Sequence, residues 1–122
     1  MKKILIVDDE KPIREMLKKF LVKKGYEVYE AENGEDAIRI VKEQYPAIVL
    51  LDIRMPKMDG VEVLKRIRQV GKDIGVVMIT AVSETVIAEK CMEFGAFDYI
   101  TKPISLEYLE ECLLAKMLDF YS

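Results

Sequence analysis

Histidine is absent from this chain, and cysteine is held to two residues. Without imidazole there can be no Ser-His-Asp or Cys-His nucleophile pair, no imidazole zinc site and no internal phosphohistidine. Cys91 and Cys112 fall far apart in expected helices, outside any C-x-x-C or metal-ligand spacing, and read as core thiols. No apolar run approaches the ~20 residues of a membrane span. The opening MKKILIV has the charge of a signal peptide, but Asp8-Asp9-Glu10 closes its apolar part after four residues, so a cytoplasmic location is expected. A basic excess is missing too: the net charge is −3, which argues against direct nucleic-acid binding. Chemistry is thus left to carboxylates, one or two lysines, hydroxyls and a hard metal ion.

What is present is an ordinary globular composition, 51% apolar and 34% charged over 122 residues, which predicts one domain across 1–122. Ile4 to Val7 reads as a strand ending in Asp8-Asp9. Pro12 suits the first turn of a helix with Ile13, Met16, Leu17, Phe20 and Leu21 inward, and Gly25 ends it. Glu27 to Ala31 reads as a strand nearer an edge, since Glu27 and Glu30 interrupt it. A helix starts at Asn33-Gly34, buries Ala37, Ile38 and Val41, and stops at Tyr45-Pro46. Ile48 to Leu51 is a continuous apolar run, the mark of a strand buried on both faces. It delivers Asp52 to its end, and Pro56 and Gly60 punctuate the following loop. A third helix runs from Val61 to Gly71 with Leu64, Ile67 and Val70 inward.

Ile74 to Ala81 is another buried strand, ending at Thr80, and Ser83 is the expected N-cap of a helix through Phe94. Phe97 to Thr101 is the fifth strand, followed by Lys102-Pro103. Ser105 caps a last helix whose inward stripe is Leu106, Leu109, Leu113, Met117 and Phe120, with Leu114 and Leu118 on its flank. Five strand–helix repeats with short connections call for an α/β fold: a parallel sheet covered by helices on both faces.

In such a sheet, ligands bind outside the carboxyl ends of the strands. Those ends carry Asp8 and Asp9, Asp52, Thr80 and Lys102. Gathered carboxylates repel, by about 3 kcal/mol per pair at ~5 Å and an effective dielectric of ~20. Lys102 alone cannot offset that, whereas an all-oxygen site suits Mg²⁺. A carboxylate beside Mg²⁺ can attack phosphorus and form an aspartyl phosphate. Mg²⁺ and Lys102 can each neutralise one phosphoryl oxygen, and the Thr80 hydroxyl can hydrogen-bond a third. Asp52 is the best-placed nucleophile because its strand sets it between the other ends.

Asp8-Asp9 after ILIV, Asp52 in LLDIRMP, Met58-Asp59-Gly60, Thr80-Ala81 and Lys102-Pro103, in this order, resemble the receiver domain of a two-component response regulator over the full length. The resemblance implies a flavodoxin-like sheet of order 2-1-3-4-5 with five helices. It implies that Asp52 takes phosphate from a sensor histidine kinase or histidine phosphotransfer protein. Asp9 would bind Mg²⁺ directly, Asp8 directly or through water, and Arg54 through its backbone carbonyl. Lys102 would touch the phosphoryl group, Thr80 and Tyr99 would form the switch pair, and the Lys102–Pro103 bond would be cis. Such a chain is a phosphoprotein that assists its own phosphotransfer and dephosphorylation, not an enzyme. Its downstream protein target would meet the last two helices and the strand between them.

Three rivals fail on particular residues. A haloacid-dehalogenase phosphatase resembles D-x-D, but Arg54 stands two after Asp52. A flavodoxin electron carrier needs a hydroxyl-rich phosphate loop where this chain has DDEKP. An EF-hand needs glycine at its sixth position, which Asp52 to Gly60 lacks. Within the receiver reading, a switch of binding surface, a phosphorelay intermediate, and the receiver part of a longer transcriptional regulator all remain open. The chain ends where the fifth helix is expected to end, which makes a stand-alone regulator the simple expectation.

Overall fold

The computed structural model describes the backbone of residues 2–121 and the side chains of residues 2–117. Strands β1 (Lys3–Val7), β2 (Glu27–Ala31), β3 (Ile48–Asp52), β4 (Gly75–Thr80) and β5 (Asp98–Thr101) alternate with helices α1 (Lys11–Lys23), α2 (Gly34–Gln44), α3 (Gly60–Val70), α4 (Thr85–Glu93) and α5 (Leu106–Tyr121). All strand pairs are parallel, in the order β2-β1-β3-β4-β5. This is the flavodoxin-like order the resemblance implies. The continuous apolar runs of β3 and β4 are buried throughout, whereas edge strand β2, with its two glutamates, is mostly half-buried.

The sheet divides the core into two layers. Leu5, Val49, Leu51 and Met78 pack with α2, α3 and α4, through residues such as Ala37, Val63, Ile67 and Ala88. Ile4, Ile6, Leu50 and Ile79 pack on the opposite face with Leu17 and Leu21 of α1 and Leu109 and Leu113 of α5. Both cysteines are free and buried, Cys91 in the first layer and Cys112 in the second. No helix among the described residues is long and apolar enough to cross a membrane.

Several local expectations are met at the caps. Asn33 caps α2 by accepting from the Asp36 amide at 2.8 Å, and Ser105 caps α5 by accepting from the Tyr108 amide at 3.2 Å. Gly25 and Gly95 follow α1 and α4 with φ of +95° and +96°. Ser83 does not cap α4: it sits inside a 3-10 turn, Val82–Glu84, and the helix begins only at Thr85. Met16 is exposed rather than inward, because the core stripe of α1 is narrow and centred on Leu17 and Leu21. In α5, Leu109 and Leu113 are buried and Leu114 is exposed, while the side chains of Leu118 and Phe120 lie outside the described residues.

Candidate functional site

The C-terminal strand ends bring Asp8, Asp52, Thr80 and Lys102 together. Asp52 closes β3 at the centre of the sheet, flanked by β1 and β4, and its carboxylate is buried, as are Asp8 and Thr80. Lys102 reaches back from the end of β5 with its Nζ 3.5 Å from Asp52 Oδ2, 3.7 Å from Asp8 Oδ2 and 3.7 Å from Glu10 Oε1. The Lys102–Pro103 peptide is cis. One lysine thus balances two buried carboxylates and an exposed third.

That balance is incomplete. Burial pushes the Asp52 carboxyl up to about 6, and the nearby Asp8 adds to the rise; Lys102 and the neighbouring Arg54 backbone amide only partly counter it. Burial raises Asp8 as well, against the pull of the Glu10 amide, which donates to Asp8 Oδ1 at 2.8 Å. Burial alone would lower Lys102, but Asp52, Asp8 and Glu10 outweigh it and hold the ammonium charged. Both buried acids therefore sit where another positive charge would be welcome.

Asp8, Asp9 and Glu10 offer carboxylate oxygens that lie within 4.8 Å of one another. Among the described residues Asp52 stands outside that trio and is tied to Asp8 through Lys102 instead. The sequence reading named Asp8, Asp9 and Asp52 and missed Glu10, although the unbroken Asp-Asp-Glu run was a visible signal. The donor set is oxygen throughout, which fits a hard divalent cation and not a thiophilic metal.

Two loops frame the acids. After Asp52 the chain turns back so tightly that the Gly60 amide donates to the Ile53 carbonyl at 2.8 Å. A Cβ on Gly60 would lie 2.5 Å from the Asp52 carbonyl oxygen and 2.8 Å from Ile53 Cα, so only glycine admits this approach. Asp59 then caps α3 through the Glu62 amide at 3.0 Å. A cleft of about 320 Å³ opens between this loop and the start of α2, lined by Asp9, Asn33, Pro56, Lys57 and Met58 among others. On the other side, Thr80 ends β4 beside the acids, and its hydroxyl donates to the Ala81 carbonyl at 3.0 Å. Tyr99 lies on the neighbouring strand, paired in register with Met78, and is half-buried against the α2–α4 layer. Arg54 pairs its guanidinium with Glu84, a contact that no sequence signal announces.

A parallel 2-1-3-4-5 sheet with acids, a hydroxyl and a lysine at its carboxyl edge defines a receiver domain. The chain belongs to the response regulator receiver domain family, whose model matches residues 4–114. It is 44% identical over 108 residues to the probable transcriptional regulator ycf27 of Porphyra purpurea, covering 88% of this chain and 44% of that protein. The protein of the same name from Pyropia yezoensis matches to the same extent, so the chain spans less than half the length of these relatives. Among solved structures, a response regulator receiver domain protein from Clostridium thermocellum superposes with a TM-score of 0.95 at 28% identity, over 99% of this chain and 98% of that one. A two-component response regulator from Clostridium difficile gives 0.94 at 31% identity over the whole of both chains.

Proposed function

We propose that Asp52 accepts a phosphoryl group from a sensor histidine kinase or a histidine phosphotransfer protein, and that the domain then changes its protein-binding surface. The observation that carries this is the buried Asp52 carboxylate at the end of the central strand, 3.5 Å from Lys102 and beside a second buried acid. With its carboxyl near 6, Asp52 is mostly ionised at neutral pH and needs no base to act as nucleophile. An Asp52 oxygen bonds to phosphorus as the phosphorus–nitrogen bond of the donor's phosphohistidine breaks. The electron pair returns to the imidazole nitrogen, which is protonated from solvent.

Asp8, Asp9, Asp52 and the Arg54 backbone carbonyl would hold Mg²⁺, with Glu10 at the rim. The ion supplies charge neutralisation at the phosphoryl oxygens. Lys102, already facing Asp52, holds its proton and balances a second oxygen as a point charge. The Thr80 hydroxyl, now spent on a backbone carbonyl, can turn to donate to the third. Tyr99 then moves into the space Thr80 leaves, carrying the change to α4, β5 and α5, where a downstream protein would bind.

On this reading the chain is a phosphoacceptor and not an enzyme, and it works in the cytoplasm with its donor. The match to less than half of the ycf27 proteins favours one version of it, in which this is the receiver part of a longer transcriptional regulator. Rapid return of the phosphoryl group to a second protein's histidine would favour a phosphorelay carrier instead. The direct test is labelling with acetyl phosphate and Mg²⁺, followed by intact mass. Wild type should gain one phosphoryl group and Asp52→Asn none, and phosphate mapped to Asp8, Asp9 or Thr80 would overturn the assignment.

A further inference from the structure

Arg54, two residues after Asp52, pairs with Glu84, which ends the 3-10 turn four residues after Thr80. Nε and Nη2 of the guanidinium both donate to Glu84 Oε1, at 2.9 and 2.5 Å. The arginine is largely exposed, but the Glu84 side chain is only 15% exposed, so its carboxylate is held inward. Each partner is wired to a different functional group. Arg54 follows Asp52 by two residues, in the loop that leaves β3. The Glu84 amide donates to the Ala81 carbonyl at 2.9 Å, the same oxygen that receives the Thr80 hydroxyl at 3.0 Å. The ion pair therefore ties the loop after the nucleophile to the turn that holds the Thr80 hydroxyl.

We propose that this pair is a latch, with Glu84 as a positioning residue that keeps the 3-10 turn wound and the Thr80 hydroxyl parked on Ala81. The inference rests on the reading of Asp52 as phosphoacceptor. Turning Thr80 toward a phosphoryl group gives up its bond to Ala81 and loosens the turn that carries Glu84. Contacts made only in the resting arrangement oppose that change, and losing them shifts the population toward the switched one. For a partly exposed, two-contact ion pair the expected effect is about two- to fivefold.

The test is titration with beryllofluoride and Mg²⁺, followed through amide NMR signals, on wild type, Glu84→Gln, Arg54→Met and the charge-exchanged pair Arg54→Glu with Glu84→Arg. Both single variants should bind about two- to fivefold tighter. Their ligand-free signals for residues 80–84 and 98–101 should already lie part-way toward the bound positions. The exchanged pair should return affinity and signals toward wild type. Tighter binding in Glu84→Gln with weaker binding in Arg54→Met would mean that a freed guanidinium catches the ligand, which overturns the latch. Unchanged affinity and signals in both single variants overturn it equally. If wild type shows no beryllofluoride-dependent shift at all, the Asp52 reading falls and the latch falls with it.

Discussion

The two ends of the sheet treat their carboxylates in opposite ways. At the amino-terminal end most polar groups have partners: Tyr45 donates to Asp73 at 2.6 Å, Arg68 donates to the carbonyls of Lys72 and Ile74, and Lys3 donates to Gln44 at 3.1 Å, while the buried Nε of Arg68 is left without one. There the Tyr45 hydrogen bond pulls the Asp73 carboxyl below its ordinary value. At the carboxyl end, burial pushes Asp52 and Asp8 up, and one lysine serves three acids. Carboxylates of one chain, a strand's length apart, thus move in opposite directions. One end is arranged to hold the fold together, and the other is left short of positive charge.

Substitutions that remove a charge should therefore have opposite signs at the two ends. The largest effect is expected from Asp52→Asn in metal-free protein. A carboxyl that titrates near 6 in the fold and near 3.8 when unfolded keeps a proton in the native state that the unfolded chain has lost. Stability consequently falls as pH rises from about 4 to 6, on the order of 2 kcal/mol for this group, and stays down above that window. Urea melts across that range should show the fall in wild type and a much flatter profile in Asp52→Asn, which should be the more stable protein at pH 7. Equal stability of the two at pH 7 would mean that Lys102 already balances the site.

At the other end the sign reverses. Arg68→Met keeps the stem but strands two carbonyl oxygens, and should cost about 1–2 kcal/mol by the same melts. It should leave phosphoryl labelling of Asp52 unchanged. A loss of labelling would show that the two ends are not separable.

The smallest effect concerns the metal. A ligand that binds only the folded state stabilises by about 1.4 kcal/mol at ten times its Kd. Mg²⁺ should raise the melting temperature of wild type accordingly and do little for Asp9→Asn. It should also shrink the wild-type pH dependence described above. Melting curves unmoved by millimolar Mg²⁺ in both proteins would remove the metal from the site.

The sequence was most readable where the signal is local. Apolar runs such as Ile48 to Leu51 cannot be anything but buried strands once short loops and alternating helices are recognised, and the acids, hydroxyl and lysine follow from where those runs stop. It was least readable where two distant segments choose each other. Glu10 meets Lys102, and Arg54 meets Glu84, only through the placement of turns far apart in the chain. Ser83 looks like a helix cap by type, but the 3-10 turn takes it first, since Glu84 folds back onto Ala81. Residue type and spacing report periodicity; they carry no record of which loop lies over which.

The two core layers have a consequence for how this domain can vary through descent. The side chains that seat α1 and α5 share only the sheet's backbone with those that seat α2, α3 and α4. A volume change accepted beneath one pair of helices asks for no matching change beneath the others. Lineages can therefore rework the surface of one layer, and with it the company the protein keeps, while the strands between them go on delivering Asp8, Asp52, Thr80 and Lys102 to the same edge.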